Sequence, residues 1–522
     1  MPDIFNDVIG PVMRGPSSSH TAAAHRIGTI IRQICPPENG NVLVGFDRKG
    51  SLATTYEGQG SAMGLISGLL GISILDPSIV RYRELSEERK MKIQFRITDF
   101  EASHPNTYKI RVENNNNELF TFIALSTGGG MIEMRNINGF EVLIRGDYFE
   151  TLLFCESLSP EIAEGLYKLI KDRTRHSEIH LFQNGLNSCL INIKSRDSLV
   201  MQVKDLTDGF ENITRIIGIE PVMPVLAGFE DKVPFTTIDE MLKLSDHKGF
   251  DLADLAIMYE SSRAGIDAEK VLSLMGDIVS RIKTSVTEGL KDTSYADRIL
   301  GHQSHLILEA EKNGRIIPAA QNRIIAYVTA IMESKSSMGI IVAAPTAGSA
   351  GVLGGVIFGV AEGIYNDQLS ISRAFLAAGL IGVFIAHKYS FAAEEGGCQV
   401  ECGAASAMAA AGLVQLMGGT ARQAIDASSM ALQNLLGLIC DPVADRVEVP
   451  CLGKNILGAT NALNAANMSI AGFDPVITLD EVIDAMRSVG ENMPSSLCCT
   501  GLGGLSVTPA SIMLHDRLKK KK

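Results

Sequence analysis

Positive charge is scarce in this 522-residue chain: 47 lysines and arginines face 59 aspartates and glutamates, a formal net charge of −12. Nothing in that balance would neutralise a row of phosphates, so a nucleic-acid partner is not expected. The one basic run, Lys519 to Lys522, reads as a solvated tail. A leader is also missing from the expected place, since Met1 to Asn6 has neither a basic start nor an apolar run. No internal repeat or long low-complexity tract stands out. Nine cysteines, an odd number, argue against a disulfide framework and for a reducing, cytoplasmic setting. One segment could be mistaken for a membrane span, since Met338 to Ala361 has no charged residue and is long enough to cross a bilayer. Pro345 and five glycines (348, 351, 354, 355 and 359) interrupt it, so it is expected to form short glycine-rich helices inside an all-α domain. Ala374 to Ala386 reads as one buried core helix, and no membrane span is expected.

What is present is ordinary for a globular protein, with 46% apolar and 20% charged residues and length for two to four domains. The pattern predicts an α+β multidomain chain. An α/β portion covers residues 1–147, with strands at Asn41 to Asp47, Lys92 to Ile97, Tyr108 to Glu113 and Leu119 to Leu125. Asn114 to Asn117 marks a turn between the last two, and Thr21 to Gln33 and Ser61 to Leu70 look helical. Residues 148–223 follow a βαββαβ order, the ferredoxin-like plan that small ligand-sensing ACT domains use; a spacer or dimerisation module is the plainer reading. Pro221, Pro224, Gly228 and Pro234 punctuate a linker. From 236 to 522 the pattern is helical throughout.

Six of the nine cysteines fall between 398 and 499. Cys398, Cys440 and Cys451 each lie beside or near glycine or proline, where a helix end can aim a thiolate into a pocket. Three thiolates suit a four-iron cluster with one iron left open for substrate, but widely separated cysteines are also what plain buried thiols look like. Cys402, one turn after Cys398, competes for the role and reads better as a small hydrophobe. GPSSSHT gathers Ser17, Ser18, Ser19, His20 and Thr21 ahead of a helix, a donor set suited to a carboxylate and larger than an N-cap needs. His104 and Asn106 in HPNT are placed to orient substrate or exchange protons, or to make a turn. Gly128 to Gly130 suggests close backbone approach.

The text around these residues resembles the iron–sulfur L-serine dehydratases, with β-type and α-type portions fused in one chain. The resemblance covers nearly all of it. It rests on IGPVMRGPSSSHTAAAHRIG (Ile9 to Gly28), GSLATTYEGQG (Gly50 to Gly60), HPNT (His104 to Thr107) and STGGG (Ser126 to Gly130). It continues through SMGIIVAAPTAGSAG (Ser337 to Gly351), EEGGCQVECG (Glu394 to Gly403), NLLGLICDPVADRVEVPC (Asn434 to Cys451) and CTGLGGLSVTP (Cys499 to Pro509). The middle segment also matches the ACT-like region of some members. The resemblance implies a [4Fe–4S] cluster on Cys398, Cys440 and Cys451, no pyridoxal phosphate, and a homodimer acting on a small amino acid in its degradation. It implies that the free iron activates the β-hydroxyl while a general base takes the α-proton, and that the enamine then yields an oxo acid and ammonia. His20, His104 and Lys454 are candidates for the base. Ser17, Ser18, Ser19, Thr21, Asn106 and Thr346 are expected around substrate, and Cys498 or Cys499 could cap the free iron.

Departures fall inside the motifs. Gln59 stands where members usually carry histidine, Ala392 replaces a small polar site beside an added Glu394, and Asp445 and Arg446 replace a glycine and an apolar residue. A buried Arg446 would favour a second anionic group on the substrate, an altered-substrate reading set against the plainer one of lineage drift outside the pocket. Three readings therefore stand: water elimination from L-serine; the same chemistry on L-cysteine or a larger hydroxy amino acid; and a catalytically silent amino-acid-binding regulatory protein.

Overall fold

The computed structural model describes all residues except 175–176, 185–187, 228–232, 365–366 and 520–522. Gly228 of the expected linker and the last three lysines lie outside the described residues. The architecture is mixed α and β, with the helices concentrated after residue 237.

The first portion is built on a six-stranded sheet in the order Lys92–Thr98, Asn41–Asp47, Thr107–Glu113, Leu119–Gly128, Met131–Ile137, Phe140–Ile144. Only the first pair is parallel, because the long helical connection carries the chain back to the same edge. Thr107–Glu113 alternates as a half-buried strand should, with Tyr108, Ile110 and Val112 inward. The last two strands were not expected from the sequence. Asn138 and Gly139 join them with positive φ at both positions, the turn an Asn-Gly pair supplies. Helices Ala23–Ile34 and Ser61–Leu70 cover one face of the sheet and touch backbone to backbone. A Cβ on Gly64 would lie 2.1 Å from the Thr21 carbonyl oxygen, and one on Gly28 would lie 2.4 Å from that of Leu65. This contact fixes where GPSSSHT can sit.

The next four strands, Phe149–Cys155, Glu178–Gln183, Cys189–Ser195 and Ile213–Ile219, form an antiparallel sheet in spatial order fourth, first, third, second. Two helices, Pro160–Arg173 and Val200–Leu206, cover one face through Leu153, Ile191 and Ile193. The second helix is shorter than its expected span from Leu199 to Ile213; Thr207 caps it and Gly209 turns at φ +87°. The other face, with Leu152, Leu190 and Ile217, joins the core of the first sheet.

The helical portion is centred on Ala350–Ile364, Gln368–Lys388, Cys402–Leu416 and Cys451–Ile470. Met338 to Ala361 corrects the expectation of several short helices. It is a strand (Ile340–Val342), a turn, and the first part of one helix, whose glycines nestle against Val328, Ile331 and Ile324. Helices Ala347–Ile364 and Gln368–Lys388 have the length and composition to cross a bilayer, and in each 78% of the apolar window is buried inside the protein. The start of the chain is stitched into this body. Val12–Arg14 pairs antiparallel with Ile340–Val342, and Ile4 and Val8 pack on Gly379 and Gly382.

Glu260 anchors that start. Its Oε1 accepts from the Ile4 N–H at 2.6 Å, and Arg263 lies 3.4 Å away. Burial first, then the charge of Asp3, pushes the Glu260 carboxyl up to about 8. The folded chain therefore binds an extra proton between the unfolded and folded values, and that stabilisation is lost as pH rises through the window. Thermal melts from about pH 5 to pH 9 are expected to show falling stability, and Glu260→Gln to flatten the slope; an unchanged slope would refute the assignment.

Candidate active site

Four separate turns bring the cysteines together. Cys398 sits in the 3₁₀ turn Gly397–Gln399, where Gly397 holds φ +71° and a side chain would strike Met493. Cys440 lies in extended backbone, its N–H donating to Leu497 O at 2.8 Å and its carbonyl accepting from Cys499 N at 2.9 Å. Cys451 opens helix Cys451–Ile470, so its thiol sits at a helix N-terminus. Cys499 is aimed inward by a left-handed backbone at φ +59°, whereas Cys498 points to Pro494 O. Cys402 is buried with its sulfur 3.5 Å from that of Cys398. Contact with Cys499, then burial, pushes the Cys440 thiol well above the usual range; burial pushes Cys451 up to about 12.

Two lysines stand beside these thiols. Lys335 is fully buried near the end of helix Ala320–Ser336 and donates to Val447 O at 2.6 Å; burial pulls its pKa down. Lys454 donates to Ile439 O and to Asp441 Oδ1, both at 2.6 Å, and so brackets Cys440 from either side. Burial works against its charge, but Cys398 and Asp441 outweigh burial and raise its pKa. A lysine held this firmly as a cation is poorly suited to be the base expected from the sequence.

Among the described residues, no three His, Cys, Asp or Glu side chains converge on one point as a single ion would need. A multi-iron cluster would instead take its cysteines one per iron, and Cys398, Cys440 and Cys451 would be the ones to hold it. An all-sulfur donor set around a buried pocket, with two cations alongside, fits that group.

The first portion supplies the opposite wall. His20 is fully buried, with Nδ1 3.0 Å from Ser17 Oγ and 3.2 Å from Ser19 Oγ, and Nε2 2.8 Å from Thr55 Oγ1. Ser19 donates to Glu394 Oε1 at 3.1 Å, and that oxygen lies 3.8 Å from His20 Nδ1. Burial lowers the His20 pKa against the pull of Glu394, which favours the neutral ring. Ser18 and Thr21 have structural work: Ser18 Oγ accepts from Ala347 N, and Thr21 donates to Gln59 O. Asn106 is fully buried, and among the described residues neither its carboxamide nitrogen nor its oxygen has a partner. Its N–H donates to His104 Nδ1 at 3.1 Å, while His104 Nε2 faces Glu395 at 3.2 Å, away from the cysteines. Ser17, Ser19, Gln59, Glu394, Cys440, Cys451 and Cys499 line one pocket. So does Glu401, which accepts from Thr346 and which burial pushes up to about 7.

The departures turn out to have local uses. Ala392 lies against Gly128, where a Cβ would come within 3.1 Å, so the left-handed glycine turn and a small residue at 392 need each other. Asp445 pairs with His515 of the last helix at 3.3 Å. The expectation for Arg446 is corrected: its Nη2 donates to both carboxylate oxygens of Asp297 at 2.7 Å, so its charge is already matched within the chain. Gln59 is buried with its amide nitrogen 4.0 Å from Cys499 Sγ. Sequence reasoning missed Lys335, Glu401 and Thr55. Lys335 shares its helix with Arg323 and Glu333, so the pattern did not single it out. Thr55 and Glu401 lie inside the GSLATTYEGQG and EEGGCQVECG motifs without a residue-type reason to choose them.

Comparison with known proteins gives the family. The family model for the serine dehydratase alpha chain matches residues 247–506. A protein of Bacillus subtilis named "Probable L-serine dehydratase, alpha chain" is 36% identical over 289 residues, which is 54% of this chain and 95% of that one. A Latilactobacillus sakei protein of the same name is 48% identical over 203 residues, 39% of this chain and 95% of its own. The L-serine dehydratase alpha chain of Peptoniphilus asaccharolyticus is 36% identical over 272 residues, 52% of this chain and 93% of its own.

Proposed function

Because the chain belongs to the L-serine dehydratase family, we propose that it deaminates L-serine to pyruvate and ammonia, using a [4Fe–4S] cluster held by Cys398, Cys440 and Cys451. The supporting observation is one buried pocket in which cysteines of the helical portion face Ser17, Ser19 and the His20 network of the first portion. When bound, the cluster supplies a Lewis-acidic iron that makes hydroxide a better leaving group. The chain's own residues do the rest. Ser17, Ser19 and the unpartnered carboxamide of Asn106 hold the substrate's carboxylate and ammonium. His20, neutral and fixed at both ring nitrogens, faces Glu394, so the α-proton passes into that pair. Glu401, poised near neutrality, returns a proton to the departing oxygen. His104 positions Asn106 through its backbone, and Cys499 would be the tail thiol to cap an open iron. The split βαβ unit is read as ACT-like, and the protein as a cytoplasmic homodimer.

Gln59 favours a second reading, elimination of sulfide from L-cysteine, because a neutral amide beside Cys499 replaces a titrating ring. Anaerobic purification, iron and sulfide analysis, and oxo-acid assays on serine, cysteine and threonine separate the two. Product from cysteine alone would overturn the first reading, and no iron after reconstitution would overturn both.

Lys454 is a positioning residue on this account. Lys454→Met is expected to lower iron retention by about tenfold or more, since it loosens the Cys440 turn, while the pH profile of kcat/KM keeps its shape. Disappearance of one limb of that profile with iron intact would instead make Lys454 the base.

A further inference from the structure

Lys335 lies in the last turn of helix Ala320–Ser336 and is 0% exposed. An ammonium taken out of water is costly unless an anion faces it. Among the described residues its hydrogen-bond acceptor is neutral, the Val447 carbonyl oxygen at 2.6 Å, and no carboxylate pairs with it. The buried carboxylates of this region are committed elsewhere. Glu448 accepts from Ile299 N and Leu300 N, both at 3.0 Å, and faces Arg298 at 3.6 Å. Glu333, two residues back on the same helix, accepts from Gln303 N at 2.7 Å and faces the same arginine at 3.8 Å. The burial of Lys335 is therefore not explained by any acid of the chain.

What faces it is sulfur. Of the ionisable groups around Lys335, Cys451 acts on its charge most strongly, ahead of Glu448, Glu401 and Cys402. The effect is mutual, since Lys335 does more than Lys454 to favour the Cys451 thiolate. The two lysines are not equivalent. Lys454 is ion-paired with Asp441 at 2.6 Å, so that pair presents little net charge. Lys335 keeps its whole charge for the thiols. It is also absent from the lining of the pocket between Ser17, Glu394 and Cys451, so it does not reach substrate.

We propose that Lys335 is the fixed counter-ion of the iron–sulfur cluster and that its charge, more than its hydrogen bond, sets the cluster's reduction potential. This role rests on the cluster being held by Cys398, Cys440 and Cys451. Three thiolates leave a four-iron cluster with net negative charge, and an added electron deepens it. A cation sealed in a dry interior is poorly screened, so it favours the electron-rich state and holds the potential up. Lys335 thus acts through the cluster and not on the reacting molecule.

The test is a reductive titration of the full-length protein, reconstituted without oxygen, with dithionite as electron donor and redox mediators present. Electron paramagnetic resonance follows the one-electron-reduced cluster. At a given potential, Lys335→Met is expected to shift the ratio of reduced to oxidised cluster about tenfold toward the oxidised form, about 59 mV for a one-electron couple. Lys335→Arg keeps the charge and should stay within about threefold of the wild type. Iron lost from Lys335→Met with an unchanged potential in the cluster that remains would make the residue a mere brace for Val447 and overturn the proposal. An equal shift in Lys335→Arg would overturn it as well. If Lys335→Met cannot be loaded, Lys335→Gln takes its place, uncharged but still a donor, and an unshifted potential there overturns the proposal. A wild-type protein that binds no iron would overturn this role together with the proposed function. A loaded wild-type protein that deaminates neither serine nor cysteine, yet whose potential moves with Lys335, would support this role and overturn the function alone.

Discussion

Cys440→Ser is expected to give a folded, colourless protein whose activity falls by about a hundredfold or more. Serine preserves size and hydrogen bonding but does not ionise to a soft ligand, so one corner of the cluster is lost. The backbone around Cys440 holds itself: its N–H and carbonyl are tied to Leu497 and Cys499 whatever the side chain is. Circular dichroism and melting should therefore change little while iron and sulfide content collapses. Cys402→Ala is the matched control. Cys402 is just as buried, yet it lies behind Cys398 and receives Asn455 Nδ2 at 3.7 Å, so iron should be retained. An active, colourless Cys440→Ser protein would refute the ligand assignment, and loss of iron in Cys402→Ala with retention in Cys440→Ser would reverse it.

Gly64→Ala is expected to destabilise the first portion by about 3 kcal/mol or more. The new methyl would sit 2.1 Å from the Thr21 carbonyl oxygen and 3.0 Å from its carbon, so two helix backbones must part. Thr21 adjoins His20, and His20 must stay in register with Thr55, so activity should fall even in protein that remains folded. Gly276→Ala, in helix Ala268–Lys291, meets nothing within 4 Å and is expected to be neutral or stabilising by about 1 kcal/mol. Equal melting temperatures for the two variants would show that the helix contact is not what sets the position of GPSSSHT.

Much of this was legible in advance, and the parts that were not have identifiable causes. Helices Ser61–Leu70 and Pro160–Arg173 and strands Asn41–Asp47 and Glu178–Gln183 fall where their patterns predict, since each is bounded by glycine, proline or asparagine. Met131–Ile137 and Phe140–Ile144 escaped because charged and polar residues mask their alternation, although the Asn-Gly turn between them was there to be seen. Met338 to Ala361 misled because glycine was taken as a breaker. In a crowded interior it permits close packing of an unbroken helix instead. Within the site, residue types pointed to Ser19, His20 and Asn106, but not to partners. No spacing shows that Arg446 is matched by Asp297, or that Lys454 braces Cys440, because both pairings are made by tertiary packing.

The stitching of Ile4 and Val8 onto Gly379 and Gly382 has a consequence for the order of assembly. A ribosome delivers Ile4 and Val8 long before the helix that covers them. The sheet of the first portion can form early from local hairpins, but its leading segment must wait for closure over some 375 residues. During translation this apolar segment is thus a natural handle for a chaperone.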